Sequence, residues 1–102
     1  MPTPYNVVGY ETLTIADSAA KLTAVTAGKS FVGRLETAQV RARGDGTDPT
    51  SSEGVLIEVG DTVILSASEI DRTSFIRTGS TSGVLKGEFY SVEASVFVAG
   101  SA

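Results

Sequence analysis

Apolar and polar residues alternate with a period of two along most of the chain, which is typical of strands with one buried face. Near the start, Leu13 and Ile15 fall on one side, while Thr12 and Thr14 fall on the other. The same pattern predicts strands at 7–15, 21–26, 31–36, 39–43, 55–59, 62–65, 73–77, 84–90 and 92–98.

The alternation also predicts which face of each strand is buried. In the segment 31–36, Phe31 and Leu35 share one face with Gly33, so we expect this face to point to the core. In 39–43, Val40 and Ala42 form the apolar face, and Gln39, Arg41 and Arg43 form the polar one. The segment 67–70 fits a single helical turn.

Turn residues divide these strands. The loop 44–54 is rich in Gly, Asp, Ser and Thr, so the strands on either side of it are expected to form one long hairpin. Gly60 and Asp61 predict a second hairpin between 55–59 and 62–65. Many short strands separated by turns favour a single antiparallel β-sandwich or a jelly-roll-like barrel of about eight strands.

The 102 residues fit one domain. Eleven glycines favour turns over helices, because each weakens a helix by about 1 kcal/mol relative to alanine. Residues 1–6 contain Pro2 and Pro4 and are expected to form an extended arm, 7–90 the β-sandwich, and 91–102 an additional C-terminal strand and tail. That strand is expected to pair either within the subunit or with a neighbour.

Charge and composition argue against several functions. The net charge of −4 disfavours nucleic-acid binding, which needs a basic surface. No apolar run reaches the length of about 18 residues that spans a membrane, and the first ten residues do not resemble a signal peptide. The absence of Cys fits synthesis in a reducing cytoplasm. The chain has no His and no Cys, which disfavours an enzyme, a cofactor, a metal site or a small-molecule substrate.

The most distinctive polar cluster lies at the tip of the first hairpin. Arg43, Gly44 and Asp45 match a cell-adhesion tripeptide, but three residues are a weak signal and each has a role in the turn. Asp45 and Asp48 with Glu53 lack the spacing of an EF-hand calcium loop. A contact loop between subunits is the alternative to a purely structural loop, with Arg41 and Arg43 as its anchoring side chains.

Four aromatic residues lie near the two ends of the chain, namely Tyr5, Tyr10, Tyr90 and Phe97. Aromatic side chains, Tyr in particular, are common in interfaces because Tyr combines an apolar ring with a polar tip. Packing in the core is the simplest role for each of them. If they cluster on the surface instead, they predict a contact between subunits.

Several motifs resemble those of small β-sandwich virion proteins of tailed bacteriophages. They are Gly9-Tyr10-Glu11, Glu-Thr-Ala-x-Val-Arg-x-Arg at 36–43, Gly-Thr-x-Pro-Thr at 46–50, Gly-x-x-Ile-x-x-Gly-Asp at 54–61, and Phe-Ile-Arg-Thr-Gly at 75–79 followed by a strand ending at Tyr90. The resemblance covers 9–90 and involves structural rather than catalytic motifs. Such chains often end near the position of Tyr90, whereas this one continues.

This resemblance implies a capsid decoration (cement) protein on the exterior of the virion. Its partners would be further copies of itself, as a homotrimer, and the major capsid protein. A neck or tail adaptor or a fibre-base component of the virion is an alternative. A carbohydrate- or receptor-binding module is an alternative from another class, although the chain has no Trp to form a sugar platform.

Overall fold

Seven antiparallel strands in two sheets make up most of the computed structural model, which describes residues 6–23 and 29–91. A single helical turn joins two of the strands. The elements are β1 (Val7–Ile15), β2 (Lys29–Glu36), β3 (Val40–Arg43), β4 (Val55–Ile57), β5 (Thr62–Leu65), α1 (Ala67–Ile70), β6 (Ser74–Arg77) and β7 (Gly83–Ser91). The predicted all-β sandwich is confirmed.

The two sheets differ in size. The large sheet has the strand order β1-β7-β2-β5, and the small sheet has the order β4-β3-β6. The predicted hairpin across the 44–54 loop is confirmed, because β3 and β4 pair with Val40 opposite Ile57. The predicted helical turn is confirmed as α1, where the backbone N–H of Ser66 donates to the Glu69 carboxylate at 2.8 Å.

The core lies between the sheets and is built from the apolar faces that the alternation predicts. Phe31 and Phe89 of the large sheet pack with ring centroids 5.1 Å apart and ring planes tilted by 57°. Val40 and Phe75 face them from the small sheet and are fully buried. Burying apolar surface stabilises a fold by about 25 cal/mol per Å², so this layer is the main source of stability.

The predicted hairpin between 55–59 and 62–65 is wrong. A turn forms one residue earlier than predicted, with Val59 and Gly60 at its centre and the N–H of Asp61 donating to the carbonyl of Glu58 at 3.0 Å. However, β4 pairs with β3 in the small sheet and β5 pairs with β2 in the large one. The N–H of Gly60 donates to the carbonyl of Leu35 at 2.8 Å, and the N–H of Leu35 donates to the carbonyl of Asp61 at 3.1 Å. These bonds hold the turn against the end of β2, so the chain crosses from one sheet to the other.

The predicted strand at 21–26 is also wrong as far as the structure describes it, through residue 23. Before this segment, the backbone of Ala20 makes two hydrogen bonds with Phe75, which cover the outer edge of β6. The N–H of Thr23 then donates to the side-chain carboxylate of Glu11 at 3.0 Å. Residues 21–23 therefore belong to neither sheet. The predicted arm at 1–6 (apart from residue 6) and the predicted strand at 92–98 lie outside the described residues.

Candidate functional site

The Arg43-Gly44-Asp45 triplet forms a closed ion pair at the hairpin tip. Nη2 of Arg43 lies 2.6 Å from Oδ2 of Asp45, and Nε lies 3.2 Å from Oδ1. The N–H of Thr47 also donates to Oδ1 of Asp45 at 3.1 Å. The hydrogen bond from Arg43, together with the one from Thr47, lowers the pKa of Asp45 to about 2. The two charges therefore stabilise the turn and are not presented separately to a partner.

Arg41 supports the rest of the same loop. Its Nε donates to the carbonyl oxygen of Ser51 at 3.1 Å, and its Nη1 donates to that of Gly54 at 2.9 Å. Thr50 and Glu53 close the loop with two backbone hydrogen bonds of 2.9 and 3.3 Å. Gly54 has a φ of +137°, which only glycine adopts readily. The loop is thus held in one shape by its own residues.

The carboxylates near this loop do not form a metal site. Asp48 is exposed and makes no hydrogen bond or ion pair within the described part of the chain. Among residues 6–23 and 29–91, no three carboxylate, His or Cys side chains gather as metal ligands. An open depression of about 450 Å³ lies beside the loop, with Arg43, Asp45, Glu53 and Val55 on its walls. It is an open surface lined by both charged and apolar side chains rather than a cage for an ion.

A second surface lies on the outer face of the large sheet. Tyr10, Glu88, Val32 and Ile64 stand side by side in one row across β1, β7, β2 and β5. Three of these four side chains are apolar in body and remain exposed, at 59% for Tyr10, 36% for Val32 and 67% for Ile64. Single exposed apolar residues are common, but three on one face of a sheet, with Glu88 between Tyr10 and Val32, make this face a candidate contact surface.

Tyr90 lies beside this row, two residues beyond Glu88 on the same face of β7. Its hydroxyl donates to Oε1 of Glu88 at 3.3 Å, and the side chain is half-buried. Burial, followed by the nearby carboxylate, raises the pKa of the Tyr90 phenol. Tyr10 and Tyr90 both line a depression of about 350 Å³ on this face. We call the outer face formed by Tyr10, Val32, Ile64, Glu88 and Tyr90 the tyrosine face.

The structure therefore separates the predicted site residues into two surfaces. Tyr10 and Tyr90 come together on the large sheet, whereas Arg41, Arg43, Asp45 and Asp48 belong to the hairpin of the small sheet and its loop. Tyr5 and Phe97 lie outside the described residues. Sequence reasoning placed Val32 on an outward face but did not select it or Ile64. The sequence signal that could have identified Val32 and Ile64 is an apolar residue at a position of an alternating strand where a polar one is expected.

No helix in the described residues has the length and apolar character needed to cross a membrane. Comparisons of the chain with profiles of known protein families, with curated proteins and with solved structures found no match.

Proposed function

We propose that this protein is a structural virion protein of a tailed bacteriophage, a capsid decoration protein that binds the outer shell as an oligomer and stabilises it. The observation that carries the proposal is the tyrosine face, an exposed row of apolar side chains across a rigid sheet. The motifs at 36–43, 46–50 and 54–61, which resemble those of small phage β-sandwich proteins, supply the virion context.

The proposed mechanism is linkage between binding and assembly. A subunit that binds only the assembled shell lowers the free energy of that state, so the shell resists dissociation more strongly as more sites are filled. Closed rotational symmetry is the usual form of such oligomers, and a homotrimer beside the major capsid protein fits it. The protein would be made in the cytoplasm of the bacterial host and act on the exterior of the capsid.

The two surfaces suit different parts of such an assembly. The tyrosine face supplies apolar area that is stable when covered by another protein. The loop from 44 to 54 supplies a rigid polar rim, because Arg41 and the Arg43–Asp45 pair hold its shape before any partner arrives. A loop that is already ordered loses little conformational entropy on binding, which favours affinity.

The test is the copy number and position of the chain in purified particles of the phage that encodes it, measured by quantitative mass spectrometry and by electron microscopy. Hundreds of copies on the shell would support a decoration protein. About a dozen copies or fewer at one vertex would support the neck, tail or fibre-base alternative, because such a structure is a single ring that occurs once per particle. Absence from the particle would overturn both.

A second experiment tests the stabilising role. Particles that lack the protein would be heated or diluted into low salt with and without added purified chain, and DNA release would be followed by dye fluorescence. We expect the added protein to raise the temperature of release. Specific binding of the isolated domain to a glycan array would instead support a carbohydrate- or receptor-binding module.

A further inference from the structure

Asp45 is followed by Gly46, and this is the only place in the sequence where a glycine follows Asp or Asn. The backbone nitrogen of such a glycine can attack the side-chain carboxyl before it, because no side chain shields that nitrogen. A bond forms between the nitrogen and Cγ, the carboxyl OH leaves as water together with the N–H proton, and a five-membered succinimide ring results. Hydrolysis of the ring takes up one water and gives either aspartate or isoaspartate, in which the backbone runs through Cγ.

The turn requires both residues of this pair. Gly46 has a φ of +87°, which only glycine adopts readily. Asp45 accepts the N–H of Thr47 at 3.1 Å, the side-chain bond by which aspartate stabilises a turn. The carboxyl is also more than half exposed, so water reaches it. The shape of the loop therefore brings a chemically labile peptide with it.

Arg43 holds the Asp45 carboxyl in its unreactive form. Ring closure needs the neutral acid, because a carboxylate is a poor electrophile and has no OH to lose. The bonds of 2.6 and 3.2 Å from Arg43, with the bond from Thr47, lower the pKa of Asp45 from 3.8 to about 2. At neutral pH the acid is therefore tens of times rarer than in an unpaired aspartate. The two bonds from Arg43 also restrict rotation of the side chain, which ring closure requires.

We propose that the Asp45–Gly46 peptide is a site of isoaspartate formation, and that the ion pair between Arg43 and Asp45 keeps it intact in the folded protein. Arg43 thus has a chemical role besides its structural one. Removal of Arg43, opening of the loop or screening of the pair by salt releases the reaction. This role concerns the chain itself and does not rest on a function in the virion.

Ageing of the purified chain at neutral pH and constant temperature tests the proposal. Isoaspartyl methyltransferase measures the isoaspartate that forms, and peptide mapping by mass spectrometry locates it. We expect Arg43→Ala to form isoaspartate at position 45 about tenfold faster than the wild type, or more, because the acid form is more abundant without the pair. The wild type unfolded in urea should also react faster than the folded wild type.

Two controls accompany these rates. Asp48 precedes Pro49, whose nitrogen carries no hydrogen, so Asp48 cannot form the ring and serves as an internal reference in every peptide map. Arg34→Ala removes an exposed arginine from β2 in the large sheet and should leave the rate at Asp45 unchanged. Circular dichroism checks folding. If Arg43→Ala does not fold, high salt added to the folded wild type weakens the exposed pair and should accelerate the reaction.

The pH dependence separates suppression of the acid form from loosening of the loop. Glu53 and Arg72 also lie near the hairpin tip, and both remain in the variant. The ratio of the Arg43→Ala rate to the wild-type rate should be constant above pH 3.8. It should shrink as the pH falls towards about 2, where both carboxyls become neutral.

Three results would overturn the proposal. They are an Arg43→Ala variant that reacts no faster than the wild type, a folded wild type that reacts as fast as the unfolded chain, and a rate ratio that does not change with pH. None of these measurements involves a capsid, so they leave the proposed virion function to its own test.

Discussion

The guanidinium of Arg41 reaches from strand β3 to the far side of the hairpin loop and donates to the carbonyl oxygen of Gly54 at 2.9 Å. A second bond from the same side chain holds the carbonyl of Ser51 at 3.1 Å. The arginine therefore connects the regular strand to the irregular loop. Because its side chain already has hydrogen-bond partners within the fold, its removal is expected to lower stability as well as any binding.

Replacing Arg41 with alanine should destabilise the protein and loosen its loop. Hydrogen bonds from a charged donor contribute about 1.5–3 kcal/mol each, and partial exposure reduces this, so we expect a total loss of about 1–3 kcal/mol. Urea denaturation gives the free energy of unfolding, and hydrogen exchange should show faster exchange at 50–54. Arg72→Ala removes an exposed arginine whose side chain makes no hydrogen bond or ion pair in the described residues, and should change neither quantity.

The two measurements also separate a structural from a binding role for Arg41. Should Arg41→Ala reduce particle binding while the unfolding free energy and the loop exchange stay at wild-type values, the side chain acts through a partner and the structural assignment fails.

Asp45→Asn should reduce stability at neutral pH but not in acid. The bond from Arg43 holds the pKa of the folded carboxyl at about 2, below the ordinary value of 3.8. A lowered pKa means that the carboxylate stabilises the fold above pH 3.8, and that this contribution is lost as the pH falls towards about 2. The amide oxygen of asparagine still accepts the N–H of Thr47, but its NH2 group cannot accept from Nη2 of Arg43, so the variant removes the charge together with the 2.6 Å bond of the ion pair.

The check is the difference in unfolding free energy between wild type and Asp45→Asn as a function of pH. It should shrink as the pH falls through this window, and high salt should reduce it at neutral pH because the pair is exposed. Asp48→Asn is the control, since Asp48 makes no ion pair or hydrogen bond in the described residues. A difference that is constant with pH would show that the ion pair is not its cause.

Gly87→Ala should destabilise the core. Gly87 stands opposite Gly33 in the β2–β7 register, and the ring of Phe31 lies against both. A Cβ at position 87 would lie 2.5 Å from the carbonyl oxygen of Val32 and would also overlap the ring. Overpacking of this kind costs about 1–3 kcal/mol.

Thermal denaturation measures the effect, with Gly79→Ala as the matched control because nothing lies within 4 Å of a Cβ there. Phe31→Leu removes the overlap with the ring but has a packing cost of its own, because Phe31 is fully buried. In a double-mutant cycle, Gly87→Ala should therefore cost less in the Phe31→Leu background than in the wild type, but still destabilise through the contact with the backbone. Equal melting temperatures for the two alanine variants would contradict the packing seen around Phe31.

The elements that the sequence predicted well are those whose signal is local. The buried face of β2 follows directly from Phe31, Gly33 and Leu35 at every second position, and burial of all three agrees. A turn was also predicted correctly to within one residue, since it is centred on Val59 and Gly60, but its sequence does not tell which strands pair on either side. The pairing is decided by β2, which pairs with β5, and by β3, which pairs with β4, and both lie outside the turn segment itself.

Only part of the tyrosine face could be predicted from the sequence, for the same reason. The interface tendency of Tyr10 and Tyr90 could be read from their chemistry. Tyr10 shares a row with Val32 and Ile64, and Tyr90 lies beside that row, because the strand order β1-β7-β2-β5 places these distant parts of the chain side by side. The internal bonds of Arg41 and Arg43 were missed as well, because the shape of the loop decides them.

Tyr90 should titrate at a higher pH than a free tyrosine, for which the ordinary pKa is 10.0. Burial is the larger cause, and the Glu88 carboxylate, which accepts a hydrogen bond from the hydroxyl, is the second. Because the pKa is raised in the folded state, the neutral phenol contributes stability that is complete below pH 10.0 and is lost as the pH rises through the folded pKa.

Ultraviolet absorbance during an alkaline titration should show a late component, which ionises only at high pH and which Tyr90→Phe removes. Glu88→Gln should move that component only part of the way back, since burial remains. A late component that persists in Tyr90→Phe would assign it to another tyrosine and contradict the environment described for the tyrosine face.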